Sequence, residues 1–126
     1  MVESEVNVTT REDIRQFNEK FSAAAARGDA KTLVAMYDDE AVFLLAGSPS
    51  FKGKGALSTL FDEFLSGGPV TMAFESGDIW ESGDLVVDVG TYSVGGMSDG
   101  RFAVVYRRRP DGTLALLVDV PIRDAG

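Results

Sequence analysis

Apolar positions recur along this chain with two periods. A helical period dominates up to about residue 66, and a period of two takes over from about residue 70. Ile14, Phe17, Phe21 and Ala24 or Ala25 share one helical stripe. They predict a first helix that begins at Thr9 or Thr10 and ends at Gly28, with Glu12 and Asp13 near its positive end. Asp29 can cap a short second helix running to about Tyr37, with Leu33, Val34 and Tyr37 inward. Leu57, Leu60, Phe61, Phe64 and Leu65 fit the helical spacing without a miss, so residues 54–66 form a third helix, stopped by Gly67-Gly68-Pro69. Between helices two and three, residues 41–46 read as a strand and 51–53 as a brief strand or bridge.

The second half is strand-like. Residues 70–80, with an irregularity near Gly77, 85–94, 101–109 and 113–122 form four strands. They are separated by turn signals at 81–84 and 110–112 and by a flexible connection at 95–100. Residues 1–8 read as a loosely ordered lead-in, and no linker or repeat divides the chain. Helices grouped first and a meander grouped last argue for α+β architecture. Tight turns make the meander antiparallel. Three helices over the concave face of a curved sheet make a cone, a shape suited to a pocket.

Composition narrows the chemistry. The chain has 126 residues, 44% of them hydrophobic, which fits one domain with a real core. Twelve basic residues face twenty acidic ones, for a net charge of -8. Nucleic acid and anionic membrane surfaces are poor partners for such a chain. There is no cysteine and no histidine. Thiol nucleophiles, thiolate metal sites and Ser-His triads are therefore excluded, and no metal or cofactor is expected. Acid–base chemistry would need a perturbed Asp, Glu, Tyr, Lys or Arg. Asp38-Asp39-Glu40 lacks the ligand spacing of a calcium loop, and Gly53-Lys54-Gly55 lacks the phosphate-loop pattern. The N-terminus has no apolar core for a signal peptide, and no run approaches the roughly 18 apolar residues of a membrane span. A cytoplasmic protein is expected.

Three segments carry a resemblance. Residues 21–29, ending in Arg27-Gly28-Asp29, are followed by Tyr37-Asp38-Asp39-Glu40-Ala41-Val42. Phe51-Lys52-Gly53-Lys54-Gly55-Ala56-Leu57 opens the third helix. Residues 100–112, ending in Arg109-Pro110-Asp111-Gly112, lead to a strand that carries Asp119. In this order and at these separations they resemble the NTF2-like superfamily, specifically the SnoaL-like and DUF4440 proteins related to ketosteroid isomerases. The resemblance spans about residues 10–122. It implies a cone-shaped, cystatin-like α+β fold with three N-terminal helices packed on a curved antiparallel sheet. It also implies a homodimer through that sheet. It does not specify a reaction, because the fold hosts many.

A ketosteroid isomerase needs a carboxylate base and an oxyanion hole made by a Tyr and a protonated Asp. Aligned on the shared motifs, those positions fall on Leu45, Phe21 and Val104. All three are apolar, so steroid-isomerase chemistry is rejected. Asp119 is the best remaining catalytic candidate. It interrupts the apolar run 114–121, and alternation groups it with Leu117 and Pro121. The alignment points that face inward, where desolvation would raise its pKa and fit it as general acid or base. An Asp on this strand plays such a role in SnoaL-like cyclases. The alternative is a structural carboxylate paired with Arg, Tyr or backbone donors. Asp88 is a secondary acidic candidate, whose plainer reading is an exposed or interfacial carboxylate facing Arg101 or Arg107. Phe21, Tyr37, Phe43, Leu45, Phe61, Trp80, Phe102, Val104 and Tyr106 are the expected ligand-binding residues. Whether Tyr92 faces pocket or interface is open. The expected function is a cofactor-free, SnoaL-like enzyme of isomerase, cyclase or lyase type, acting on a small apolar carbonyl compound in a closed pocket. The alternative is a non-catalytic binding or dimeric association module.

Overall fold

A computed structural model describes residues 8–95 and 98–124. Its elements run α1 (Val8–Ala26), α2 (Ala30–Ala35), β1 (Tyr37–Phe43), β2 (Phe51–Lys52), α3 (Gly53–Phe64), β3 (Met72–Ser82), β4 (Leu85–Val94), β5 (Ser98–Arg108) and β6 (Leu114–Arg123). The strands form one sheet in the order β2-β1-β6-β5-β4-β3. The lead-in at residues 1–7, and Gly96 and Met97 of the expected flexible connection, lie outside the described residues.

The helices form where the apolar stripes put them, but their ends are decided differently from the expectation. Thr10 does not cap α1. It is buried inside the first turn, donates to the Glu81 carboxylate at 2.9 Å and accepts from Arg108 at 3.1 Å. Gly28 ends α1 with a positive φ of 70°, and the Asp29 amide reaches back to the Ala24 carbonyl at 2.9 Å. The Asp29 carboxylate then caps α2 by accepting from the Thr32 amide at 3.0 Å.

Tyr37 belongs to a strand, not to the end of α2. The Leu116 amide donates to the Met36 carbonyl at 3.0 Å and draws this segment into the sheet. β1 therefore begins four residues earlier than its apolar run and ends at Phe43, ahead of Leu44 and Leu45. It pairs with β6 in parallel, because the whole meander intervenes between them. The remaining pairings are antiparallel. β5 begins at Ser98, so the connection after β4 is shorter than its glycines suggest.

Two irregularities decide which side chains face the helices. β3 shifts register between Ser76 and Asp78, with Gly77 as the extra residue. β6 shifts between Leu116 and Val118, with Leu117 as the extra residue. Close approach of β3 also requires glycine at 90, where a Cβ would stand 2.1 Å from the Glu75 carbonyl oxygen. The core lies between α1, α2, α3 and the concave face, and includes Ile14, Leu33, Leu57, Ile79 and Val86.

Arginines tie the layers together at the sheet's end. Arg108 binds Asp13 of α1 at 3.0 Å, and Arg107 binds Asp38 and Glu40 at 3.2 and 3.1 Å. Arg109 donates to the Ala35 carbonyl at 3.0 Å. These pairs are partly solvated, so each adds little to stability. Among the described residues no helix is long and apolar enough to cross a membrane.

Candidate functional site

The concave face and the helices leave a cavity of about 220 Å³. Every aromatic side chain of the protein except Phe51 and Trp80 lines it. The rings meet mostly edge to face, for example Phe21 against Phe74 at 5.6 Å and Phe17 against Tyr106 at 5.1 Å. Leu45 lines the cavity and is also 42% exposed, so the pocket reaches the surface near the end of β1 and is not sealed.

Asp119 stands on the cavity wall, on β6, directly opposite Val104 of β5 and Phe43 of β1. The Tyr37 hydroxyl donates to Asp119 Oδ2 at 2.5 Å. The parallel β1–β6 pairing brings these two residues together across 82 positions of sequence. Asp119 is half-buried, because the space it touches is the cavity. Loss of water around the carboxyl pushes its pKa up to about 6, and the Tyr37 hydrogen bond partly offsets this. Burial, followed by the Asp119 charge, raises the Tyr37 phenol well above its ordinary value. At neutral pH the pair is thus a mostly ionised carboxylate held by a neutral phenol.

Among the expected ligand-binding residues, Phe21, Tyr37, Phe43, Leu45, Phe61, Phe102, Val104 and Tyr106 line the cavity. Trp80 does not. The Gly77 bulge turns Ile79 inward and Trp80 outward, where it is 40% exposed on the convex face. Leu117 is likewise displaced from the Asp119 face by the β6 bulge, and Leu116 lines the cavity in its place. Tyr92 faces the pocket. The three positions that correspond to steroid-isomerase polar groups, Phe21, Leu45 and Val104, all meet at this cavity as apolar wall. Phe17 and Phe64 were legible as stripe residues, but nothing local marked Met72 or Phe74 as lining.

Asp88 faces neither Arg101 nor Arg107. It points to the interior, has no accessible surface, and lies outside the cavity lining. Its Oδ2 accepts from Ser76 Oγ at 2.7 Å, and its Oδ1 has no partner. Burial raises its pKa, while Ser76, the Gly77 amide and Arg11 oppose the rise. Among the described residues no group of three or more acidic side chains is arranged to hold a metal ion.

The fold and this helix-roofed cavity define a cystatin-like, NTF2-like protein. The SnoaL-like domain model matches residues 8–117, and the chain belongs to that family. A Nostoc punctiforme protein of unknown function with a cystatin-like fold superposes with a TM-score of 0.81 at 13% identity, over 95% of each chain. A ketosteroid isomerase-like protein from Erwinia carotovora atroseptica superposes with a TM-score of 0.71 at 18% identity, over 91% of this chain and 96% of that one. A protein from Thiobacillus denitrificans, named for the calcium/calmodulin-dependent protein kinase type II association domain, superposes with a TM-score of 0.70 at 13% identity. It covers 86% of this chain and 94% of its own. At these identities the likeness is one of fold. No curated protein matches the sequence.

Proposed function

We propose that this protein is a cofactor-free enzyme that moves protons on a small, largely apolar, carbonyl-bearing molecule, with Asp119 as the acid–base residue. The reaction class is isomerisation, cyclisation, elimination or hydration. The observation that carries this reading is a single carboxylate on a mostly apolar, aromatic wall, with its pKa pushed up to about 6. Such a group is ionised at neutral pH yet more basic than a solvated Asp, which suits proton abstraction beside a carbonyl. The Asp119 carboxylate takes the proton, the C–H electron pair passes toward the carbonyl, and the same carboxyl can return the proton elsewhere. Tyr37 holds one carboxylate oxygen and leaves the other for the substrate. The ketosteroid isomerase-like neighbour is compatible with this chemistry, although the steroid-isomerase polar set is replaced here by Phe21, Leu45 and Val104. Mass spectrometry of molecules that co-purify would identify a substrate. Asp119→Asn is then expected to lower its turnover by at least about 100-fold. Undiminished turnover in the folded variant would reject the role.

A second reading, a dimeric association module, draws on the convex face. Trp80, Val87, Val105 and Val118 form one row across four strands, and Val89, Ala103 and Val120 form the next. Trp80 and Val89 are 40% and 39% exposed, and an apolar patch of this breadth is rarely left to water. We propose that a second copy of the chain covers it, whether or not the cavity is catalytic. Light scattering after size exclusion should give a dimer that Val89→Glu converts to monomer. A wild-type monomer would overturn this.

A further inference from the structure

Asn18, Tyr92 and Tyr106 are polar residues of the cavity wall that nothing above employs, and Tyr106 is the most deeply buried of them. Tyr106 is 2% exposed and lines the cavity, yet its hydroxyl has no hydrogen-bond partner among the described residues. The Tyr37 hydroxyl, by contrast, is committed to Asp119. Among the described side-chain oxygens and nitrogens, Asp88 Oδ1 is the one both sealed and unpartnered. The Tyr106 oxygen is therefore unpartnered without being sealed, and the cavity is the space this side chain lines. Leaving a buried hydroxyl unpaired is unfavourable, so a partner brought by a ligand is favoured. Burial and the charges of Asp88 and Asp119 keep the phenol protonated, which makes it a donor.

The rest of the lining sets the charge of that ligand. No Lys or Arg lines the cavity, and Asp119 supplies a negative charge above pH about 6. An anionic ligand would lose its water with nothing cationic in return. The two polar anchors also have a fixed relation. Val104 stands opposite Asp119 and Tyr106 opposite Leu116, on adjacent strands. Asp119 and Tyr106 are diagonal neighbours, their backbones roughly 8 Å apart along the sheet.

We infer that Tyr106 is a ligand-anchoring donor that restricts the cavity to uncharged, mostly apolar molecules with a hydrogen-bond acceptor such as a carbonyl oxygen, and that carboxylates and phosphates are excluded. The inference rests on the cavity being the ligand site, as proposed above, but not on Asp119 moving a proton.

Three naphthalene probes test it at pH 8: 2-acetylnaphthalene, its acceptor-free analogue 2-ethylnaphthalene, and the anion 2-naphthoate. Calorimetry with wild type and Tyr106→Phe should show the ketone binding about 5–10-fold more weakly to the variant. The ethyl compound should change by less than about twofold, and naphthoate should not bind where the ketone saturates. The carbonyl carbon of bound, carbon-13-labelled ketone should resonate downfield in wild type, a readout that does not depend on the variant's folding. An equal loss for ketone and ethyl compound would reduce Tyr106 to a packing residue and overturn the inference. So would an unshifted carbonyl signal, naphthoate binding as tight as the ketone, or no binding of any probe to wild type. Asp119→Asn should leave the ketone-to-ethyl preference intact, which separates this inference from the catalytic reading.

Discussion

Asp119 and Asp88 occupy the same row of the sheet. Pairing runs Ile79, Asp88, Val104, Asp119, Phe43 across β3, β4, β5, β6 and β1, so one valine stands between the two carboxylates. Both point to the concave side, and burial raises both pKa values. They differ in what lies beside them. Asp119 has a phenol on one oxygen and the cavity beside it. Asp88 has a serine on one oxygen, and its other oxygen is enclosed without a partner. A perturbed pKa alone therefore does not mark a reactive group. Of the two, only Asp119 reaches a ligand-sized space.

Paired substitutions should expose this difference most strongly in turnover. Asp119→Asn is expected to lose at least about 100-fold, whereas Asp88→Asn should stay within about threefold of wild type. Similar losses in both would mean that Asp88 takes part in the chemistry and the contrast is false.

Stability against pH gives the next largest effect. The folded protein binds a proton at Asp119 more tightly than the unfolded chain does, because the folded pKa is the higher one. This group's favourable contribution is present below about pH 4 and is lost as pH rises through about 6. The span from 3.8 to about 6 corresponds to at most about 3 kcal/mol. Denaturant titrations at pH 4.5 and 7.5 should show Asp119→Asn losing less stability over that interval than wild type. Asp88→Asn should change in the same direction, since its folded pKa is also raised. A variant that follows the wild-type curve would show that the carboxyl is better solvated than its surroundings imply.

The smallest effect concerns Tyr37. Its hydrogen bond lowers the Asp119 pKa, so Tyr37→Phe should move the acid limb of the pH–rate profile upward. An unmoved limb would detach Tyr37 from the titration of Asp119.

Much of this site could be read before any coordinates. Asp119 announced itself as a polar break in an apolar run, and Phe21, Phe61, Phe102 and Tyr106 followed from periodicity and alignment. The pairing of Tyr37 with Asp119 could not be read. Tyr37 looked like the end of a helix, and only the parallel β1–β6 contact across the fold brings it to the carboxylate. Trp80 and Leu117 were misplaced for a single reason. Strict alternation would turn both inward, but each follows or forms a bulge that reverses the facing of its strand. The glycine at 77 hinted at the first irregularity; the second, among Leu116, Leu117 and Val118, had no such marker.

By itself the sequence determined the element types, their order, the α+β class and the poverty of ionisable groups in the core. Those depend on local periodicity and composition, which each segment carries alone. The tertiary structure decided which oxygen of which acid meets open space, which hydroxyl is left unspent, and which face each strand presents after a bulge. Those are properties of register between distant strands, and a one-residue slip in register exchanges the inside of a sheet for its outside.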